Sequence, residues 1–222
     1  SVCLKRSNCA LAQEYFLKGL STSESLEDYA GQVYALWNLS HLFVERKHYD
    51  EAEAYALKCA DVARTHGLHS DFVDVLVNLG ELALLRNKVV QAEEYANKAM
   101  TVVEGDPSGL PKGNPCSLLA KIHSYRGEYS KANNLYRICL EEDETIEDTH
   151  GIAWSMRMLA TIAEIFGNLD EYEQYMHTCV ELDESGQRKE SLAQDYLMLG
   201  GHAHWRGDLN QSEENYKKSL TI

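Results

Sequence analysis

The chain has 222 residues, 44% of them hydrophobic, which is enough to bury a sizeable core, and its aromatic and branched apolar residues are spread throughout, which excludes a disordered polymer. Thirty-five acidic against 21 basic side chains give a formal net charge of −14, a field that repels phosphate backbones, so nucleic acid is excluded as a first-choice partner and a basic protein segment fits better. No apolar run approaches the roughly 20 residues that a membrane-spanning helix needs, so membrane insertion is not expected.

The N-terminal stretch SVCLKRSNCALAQEYF lacks the apolar region and small-residue cleavage site of a signal peptide. The absence of an initial Met and a helical pattern still running at SLTI predict a fragment of a longer protein, with the rest of its own chain as a partner at both ends. Cys3, Cys9, Cys59, Cys116, Cys139 and Cys179 form no CxxC pair, which argues against a zinc site. Cys59, Cys139 and Cys179 occupy equivalent positions of a repeat where Ala99 and Ser219 also stand, so they read as small core residues in a reducing, cytoplasmic setting, with the nucleus also compatible. The sequons at Asn38 and Asn210 point weakly the other way, and the first lies mid-helix.

Taken in order, the chain opens with a helix over about residues 5–20 and then repeats every forty residues. Ala12, Ala52, Ala92, Ala132, Tyr172 and Ser212 mark one helix of each unit; Tyr15, Tyr55, Tyr95, Leu135, Tyr175 and Asn215 follow three residues on, and Gly19, Cys59, Ala99, Cys139, Cys179 and Ser219 seven on. That spacing is one stripe of an amphipathic helix. Upstream of it lies another helix, marked by Leu39, Leu79, Leu119, Leu159 and Leu199, each followed by a small residue: Ser40, Gly80, Ala120, Ala160 and Gly200. Small side chains there allow two helices to cross closely. Short turns join the two, and Gly127, Gly167 and Gly207 are placed to end a helix in the left-handed conformation. Arg46, Arg86, Arg126 and Arg206, also forty apart, read as charges that neutralise negative helix ends.

The segment 104–115 holds all three prolines and is predicted as a loop of about ten residues, with Pro115 in the first turn of the next helix. The run EEDETIED over 141–148 is predicted as a solvated acidic junction. The expectation is therefore all-α, about eleven helices and no strands, in one solenoid over 1–222: a half repeat 1–22, then repeats of about 23–66, 67–104, 105–143, 144–184 and 185–222. A single helix pair cannot cover its own apolar faces, so neighbours must stack.

The small residue after each repeat leucine, the Gly-Asn/Glu/Asp-Tyr/Leu turn and the Ala52-Glu-Ala-Tyr-Ala-Leu-Lys-Cys59 helix resemble the tetratricopeptide repeat across essentially the whole chain. The forty-residue period, with Asn-Leu-Ser at Asn38 and Asn-Leu-Gly-Glu-Leu at Asn78, is similar to Pins-type polarity scaffolds and kinesin light chains. Leu118, Met158 and Met198 depart from that asparagine pattern. The resemblance implies a right-handed α-α superhelical solenoid that acts as a non-catalytic scaffold or adaptor, binding a partner peptide or helix on a concave face lined by the first helix of each repeat. A regulatory sensor arm of a larger enzyme or switch protein, and a structural subunit of a large assembly, are the alternatives. On those first helices a second stripe supplies the candidate groove: Tyr34, Trp37, Asn38, His41, Asn78, Glu81, Lys121, Trp154, Arg157 and Trp205. Aromatics beside amides and single charges suit the backbone and side chains of a bound segment. No catalytic residue, cofactor or metal is expected: the His66/His69 and His202/His204 pairs lack a third ligand, and no phosphate loop, HExxH or nucleophile elbow is present.

Overall fold

The computed structural model describes residues 2–222, with side chains from residue 10 onward, so the thiols of Cys3 and Cys9 lie outside the described residues. Every regular element among them is an α-helix: α1 (Val2–Ser25), α2 (Tyr29–Glu45), α3 (Tyr49–Thr65), α4 (His69–Leu85), α5 (Val89–Gly105), α6 (Gly113–Tyr125), α7 (Tyr129–Thr145), α8 (Thr149–Phe166), α9 (Leu169–Ser185), α10 (Lys189–Trp205) and α11 (Leu209–Thr221). The chain divides into two compact units, Ser1–Ile122 and His123–Ile222. In the first, each of α1 to α4 packs on the next helix in sequence; in the second, each of α7 to α10 does so.

The period has a simple physical source. α2, α3, α4 and α5 are each 17 residues long. Three residues separate these helices, and the middle one has positive φ: Lys47, Gly67 and Asn87. The same holds in the second unit for Gly127, Glu147, Gln187 and Gly207, and Gly167, the first of two residues between α8 and α9, has positive φ as well. Asp28, Asp148 and Asp208 cap the helices that follow them through their carboxylates.

On α1 the predicted columns are not core: Tyr15 is 63% exposed and Gly19 is exposed, where no preceding helix among the described residues covers them. From α2 onward the core follows the predicted columns, with three differences. Ala52, Ala92, Ala132 and Tyr172 are buried as expected, but the next buried position on these helices is four residues on, at Ala56, Ala96, Tyr136 and Met176, and the predicted Tyr55, Tyr95, Leu135 and Tyr175 are half-buried. Both spacings fall within one helical stripe, and the direction of the neighbouring helix selects the later one. Leu39, Leu79, Leu159 and Leu199 are buried, whereas Leu119 is half-buried and Leu118 is fully buried in its place, packed with Ala83, Ala92, Ala96 and Ile122. Two further columns are buried on the first helices: Ala35, Val75, Pro115, Ser155 and Asp195, and Leu42, Leu82, Ile122, Ile162 and His202. These positions flank the main stripe and are covered from both sides in a stack, which broadens the buried face beyond that of a helix with one neighbour.

The close crossings are visible atom by atom. Ser40 Oγ donates to the Ala52 carbonyl at 3.0 Å, and Ser212 Oγ to the Gly200 carbonyl at 2.9 Å. A Cβ on Gly80 would sit 2.3 Å from Leu118 Cδ2 and 3.3 Å from the Ala92 carbonyl, so this glycine admits both its own pair and the next first helix. The repeat cysteines act as donors between helices. Cys59 Sγ donates to Val33 O at 3.4 Å and Cys179 Sγ to Ala153 O at 3.2 Å, and Ser219 Oγ makes the same bond to Ala193 O at 2.7 Å. Burial pushes the Cys59 and Cys179 thiols up to about 12, so both stay protonated and unreactive.

Three members of the arginine column, Arg46, Arg86 and Arg206, also join neighbouring repeats. Arg46 donates to Gln13 Oε1 at 2.8 Å, Arg86 to Glu53 Oε2 at 2.5 Å and Asp50 Oδ1 at 2.7 Å, and Arg206 pairs with Glu173. Each guanidinium reaches back 33 residues to the preceding second helix, fastening one repeat to the one before it. The proline-rich connection is shorter than predicted, 106–112, because Gly113 and Asn114 already belong to α6. Asp106 closes it: its carboxylate accepts from Ser108 N at 2.8 Å and Oγ at 2.5 Å and contacts His69 Nδ1, bonds that hold its pKa at about 2. The acidic stretch is helical through Thr145, and Asp143 turns inward to accept from Ser155 Oγ at 2.9 Å.

Candidate partner-binding surface

In the first unit, α2 and α4 enclose a cavity of about 470 Å³ lined by Ala30, Val33, Tyr34, Trp37, Asn38, Asp71 and Asp74. Its position follows from the helix repeat, since Tyr34, Trp37 and Asn38 lie within one turn of α2 and Asp71 and Asp74 are one turn apart on α4. Trp37 is half-buried and packs against the cluster that contains Ala63, Val75 and Leu76, while Tyr34 is 67% exposed. Asn38 Nδ2 donates to the Tyr34 carbonyl at 2.7 Å, which orients the amide and turns its oxygen away from that bond. Burial raises the Asp74 pKa; the bond from Asn114 Nδ2 (2.9 Å) opposes that rise and the neighbouring Asp71 charge adds to it. Among the described residues neither carboxylate forms an ion pair.

Beside this cavity His41 is exposed, with its ring 4.9 Å from that of Trp37. Asn78 is buried, donating from Nδ2 to His41 Nε2 at 3.2 Å and placing Oδ1 3.5 Å from Ser40 Oγ. Glu81 and Lys121 form an ion pair between α4 and α6. Five of the first unit's candidates, Tyr34, Trp37, Asn38, His41 and Asn78, therefore lie together on one face, and the pair Glu81–Lys121 stands further along it. Asp71 is a lining residue that the stripe on the first helices leaves out.

The second unit is different. Trp154 is half-buried and meets Tyr136 edge-on at 5.7 Å, and Trp205 is 72% exposed. Arg157, expected in the groove, is buried instead: Nε donates to Asp195 Oδ1 at 2.6 Å and Nη2 to Asp183 Oδ2 at 2.8 Å, and Arg188 Nε bonds the other oxygen of Asp183 at 2.6 Å. Burial pushes Asp195 up to about 6, against the pull of Arg157 and with the help of the adjacent Asp183 charge. A second cavity of about 350 Å³ opens near Leu199, Ala203, Arg206 and Asn215. In the first complete repeat the positions equivalent to 203 and 215 are Phe43 and Tyr55, whose rings stack at 5.4 Å and fill that space.

Residues 33–66 match the tetratricopeptide repeat family model. The chain therefore carries a tetratricopeptide repeat over those residues. Its fold is similar to that of BtubC (BKLC) from P. vanneervenii, at 15% identity and a TM-score of 0.79, covering 96% of this chain and 90% of that one. It is also similar to a putative kinesin light chain with TPR-like repeats from Podosopora anserina (13% identity, TM-score 0.63, 86% of this chain and 93% of that one). A third solved structure, the Rap conjugation gene regulator of plasmid pLS20 in complex with the Phr* peptide, matches at 15% identity with a TM-score of 0.69, covering 96% of this chain and 57% of that one. No curated protein matches the chain by sequence. Among the described residues no helix is long and apolar enough to cross a membrane, and no group of three His, Cys, Asp or Glu side chains is placed to hold a metal ion.

Proposed function

We propose that this protein is a non-catalytic interaction module whose first unit holds a segment of a partner protein against α2 and α4. The observation that carries the reading is the cavity of about 470 Å³ between those helices, walled by an exposed tyrosine and a half-buried tryptophan. Rigid aromatic side chains beside oriented amides form the type of surface that anchors a partner chain, because they offer large contact area at small entropic cost. Tyr34 and Trp37 are the anchors, Asn38 and His41 the polar contacts, and Asn78 positions His41 from below. Glu81 and Lys121 extend the same face, and Trp154 and Trp205 are the aromatic contacts of the second unit. The Phe-and-Tyr-filled interior of the first complete repeat favours this face over the interior as the place for a ligand. The Rap regulator bound to the Phr* peptide is a precedent for a peptide ligand on a related fold.

The test is selection of a random peptide library displayed on phage against the immobilised chain. Peptides enriched on the wild type are expected to lose binding to Tyr34→Ala and Trp37→Ala, with helical circular dichroism retained in the Tyr34 variant because that ring contributes little to the core. Enriched peptides that bind both variants as well as the wild type would overturn the assignment.

A further inference from the structure

We infer that the α2–α4 pocket takes a lysine or arginine side chain of the bound segment, from the pairing of aromatic walls with polar groups that all accept hydrogen bonds. This rests on the reading above and specifies what the pocket selects. Two carboxylates, Asp71 and Asp74, line it on α4, and among the described residues neither has a cationic partner. The third polar group is the amide of Asn38, which commits one of its two N–H donors to the Tyr34 carbonyl and keeps its oxygen as an acceptor for a ligand. Asp74 already takes one bond from Asn114, and a carboxylate has capacity for further donors. A ligand rich in donors and carrying positive charge satisfies this set; a carboxylate or phosphate would face the two like charges of Asp71 and Asp74.

The walls agree with the polar groups. Trp37 and Tyr34 both line the same cavity, and tryptophan is the strongest aromatic partner for an ammonium or guanidinium. The methylene stem of either side chain would lie along Ala30 and Val33, the apolar part of the lining, while the head reaches the carboxylates. The free protein holds two nearby negative charges in a partly desolvated setting with no counter-charge among the described residues, and an entering cation relieves that repulsion. The chain's net charge of −14 favours the approach of such a segment at long range.

The experiment uses a peptide enriched on the wild-type chain and dependent on Trp37, its analogue with each lysine or arginine replaced in turn by norleucine, and the double variant Asp71→Asn with Asp74→Asn. On the wild type, one norleucine replacement is expected to weaken binding roughly tenfold or more. On the double variant the parent peptide is expected to fall to the affinity of that norleucine analogue, which itself binds both proteins alike. A Trp37-dependent peptide that needs no cationic residue, or a preference for the cation that survives in the double variant, overturns this inference and leaves the groove reading standing. Absence of any Trp37-dependent peptide overturns the groove reading and this one with it. Concentration-dependent self-association abolished by Trp37→Ala would assign the pocket to a second copy of the chain and overturn the inference as well.

Discussion

The same three repeat positions are filled in opposite ways in the two units. In the first, the equivalent residues are all apolar: Trp37 packs against a buried cluster that includes Ala63 of the second helix and Val75 of the next first helix. In the second, the equivalents are Arg157, Asp183 and Asp195, and what was a hydrophobic contact becomes a buried ionic network. The backbone period is unchanged, so the repeat dictates which side chains meet and leaves their chemistry open. The consequence for the surface is direct. An aromatic ring at this column can pack on one side and face a ligand on the other, whereas a guanidinium there is drawn inward by two carboxylates and leaves the groove.

The largest effect should come from breaking the network on one side. Arg157→Ala leaves Asp183 and Asp195 buried with only Arg188 near the first of them, and a cost of about 3–5 kcal/mol is expected in urea unfolding followed by circular dichroism. A loss below about 1 kcal/mol would mean that the network is open to water. Converting the junction to the apolar chemistry of the first unit is the sharper test of the comparison. Arg157→Leu with Asp183→Ala and Asp195→Val should be neutral or stabilising by about 1–4 kcal/mol, since desolvation of the buried carboxylates and of Arg157 outweighs much of their mutual attraction, with the half-buried Arg188 left to turn to solvent. Asp195 Oδ2 has no hydrogen-bond partner among the described residues, which adds to the cost of keeping the ionic version. A triple variant clearly less stable than the wild type would show that the ion network stabilises this unit in its own right.

The network also gives the second unit a pH signature. The Asp195 pKa stands at about 6 against an ordinary 3.8, so the folded state retains its proton more firmly than the unfolded chain. The sign follows from linkage: the stabilisation is fully present below about 4 and is lost as pH rises through about 6. Unfolding midpoints of the wild type and Asp195→Asn measured across that window should separate, the wild type falling relative to the variant as pH rises. Parallel profiles would remove Asp195 as the titrating group.

Much of this architecture is legible in the amino-acid order, and the limits are physical. The leucine and small-residue columns, the helix count and the Pro115 start of α6 follow from periodicity and turn chemistry. Ala56 against Tyr55 does not, because both spacings lie on one stripe and the choice depends on a neighbouring helix. The columns of Ala35 and Leu42 become core only when a further repeat covers them. Asp183, inside ELDES, looks like any solvated charge, and its partner Arg157 is 26 residues away with Asp195 another 12 beyond Asp183. No local pattern connects those three. In the candidate pocket the α2 residues were readable as a stripe, whereas the role of Asp71 depends on how α4 lies against α2.

The smallest expected effect compares the turns. After its first helices the first unit places Lys47 and Asn87 at φ of 61° and 59°, where the second unit uses Gly127, Gly167 and Gly207. A left-handed conformation costs a residue with a Cβ about 1–2 kcal/mol, while glycine loses more chain entropy on folding, so Lys47→Gly should stabilise by only about 0.5–1 kcal/mol. The reverse change isolates the backbone term. A Cβ on Gly207 would meet nothing within 4 Å, so Gly207→Ala introduces no clash, and a loss of about 1 kcal/mol would be strain alone. Opposite shifts in the unfolding midpoints of these two variants would show that the units share one turn geometry and differ in how well their residues suit it. Shifts of the same sign would mean that the Lys47 turn is held by its side chain and not by its φ.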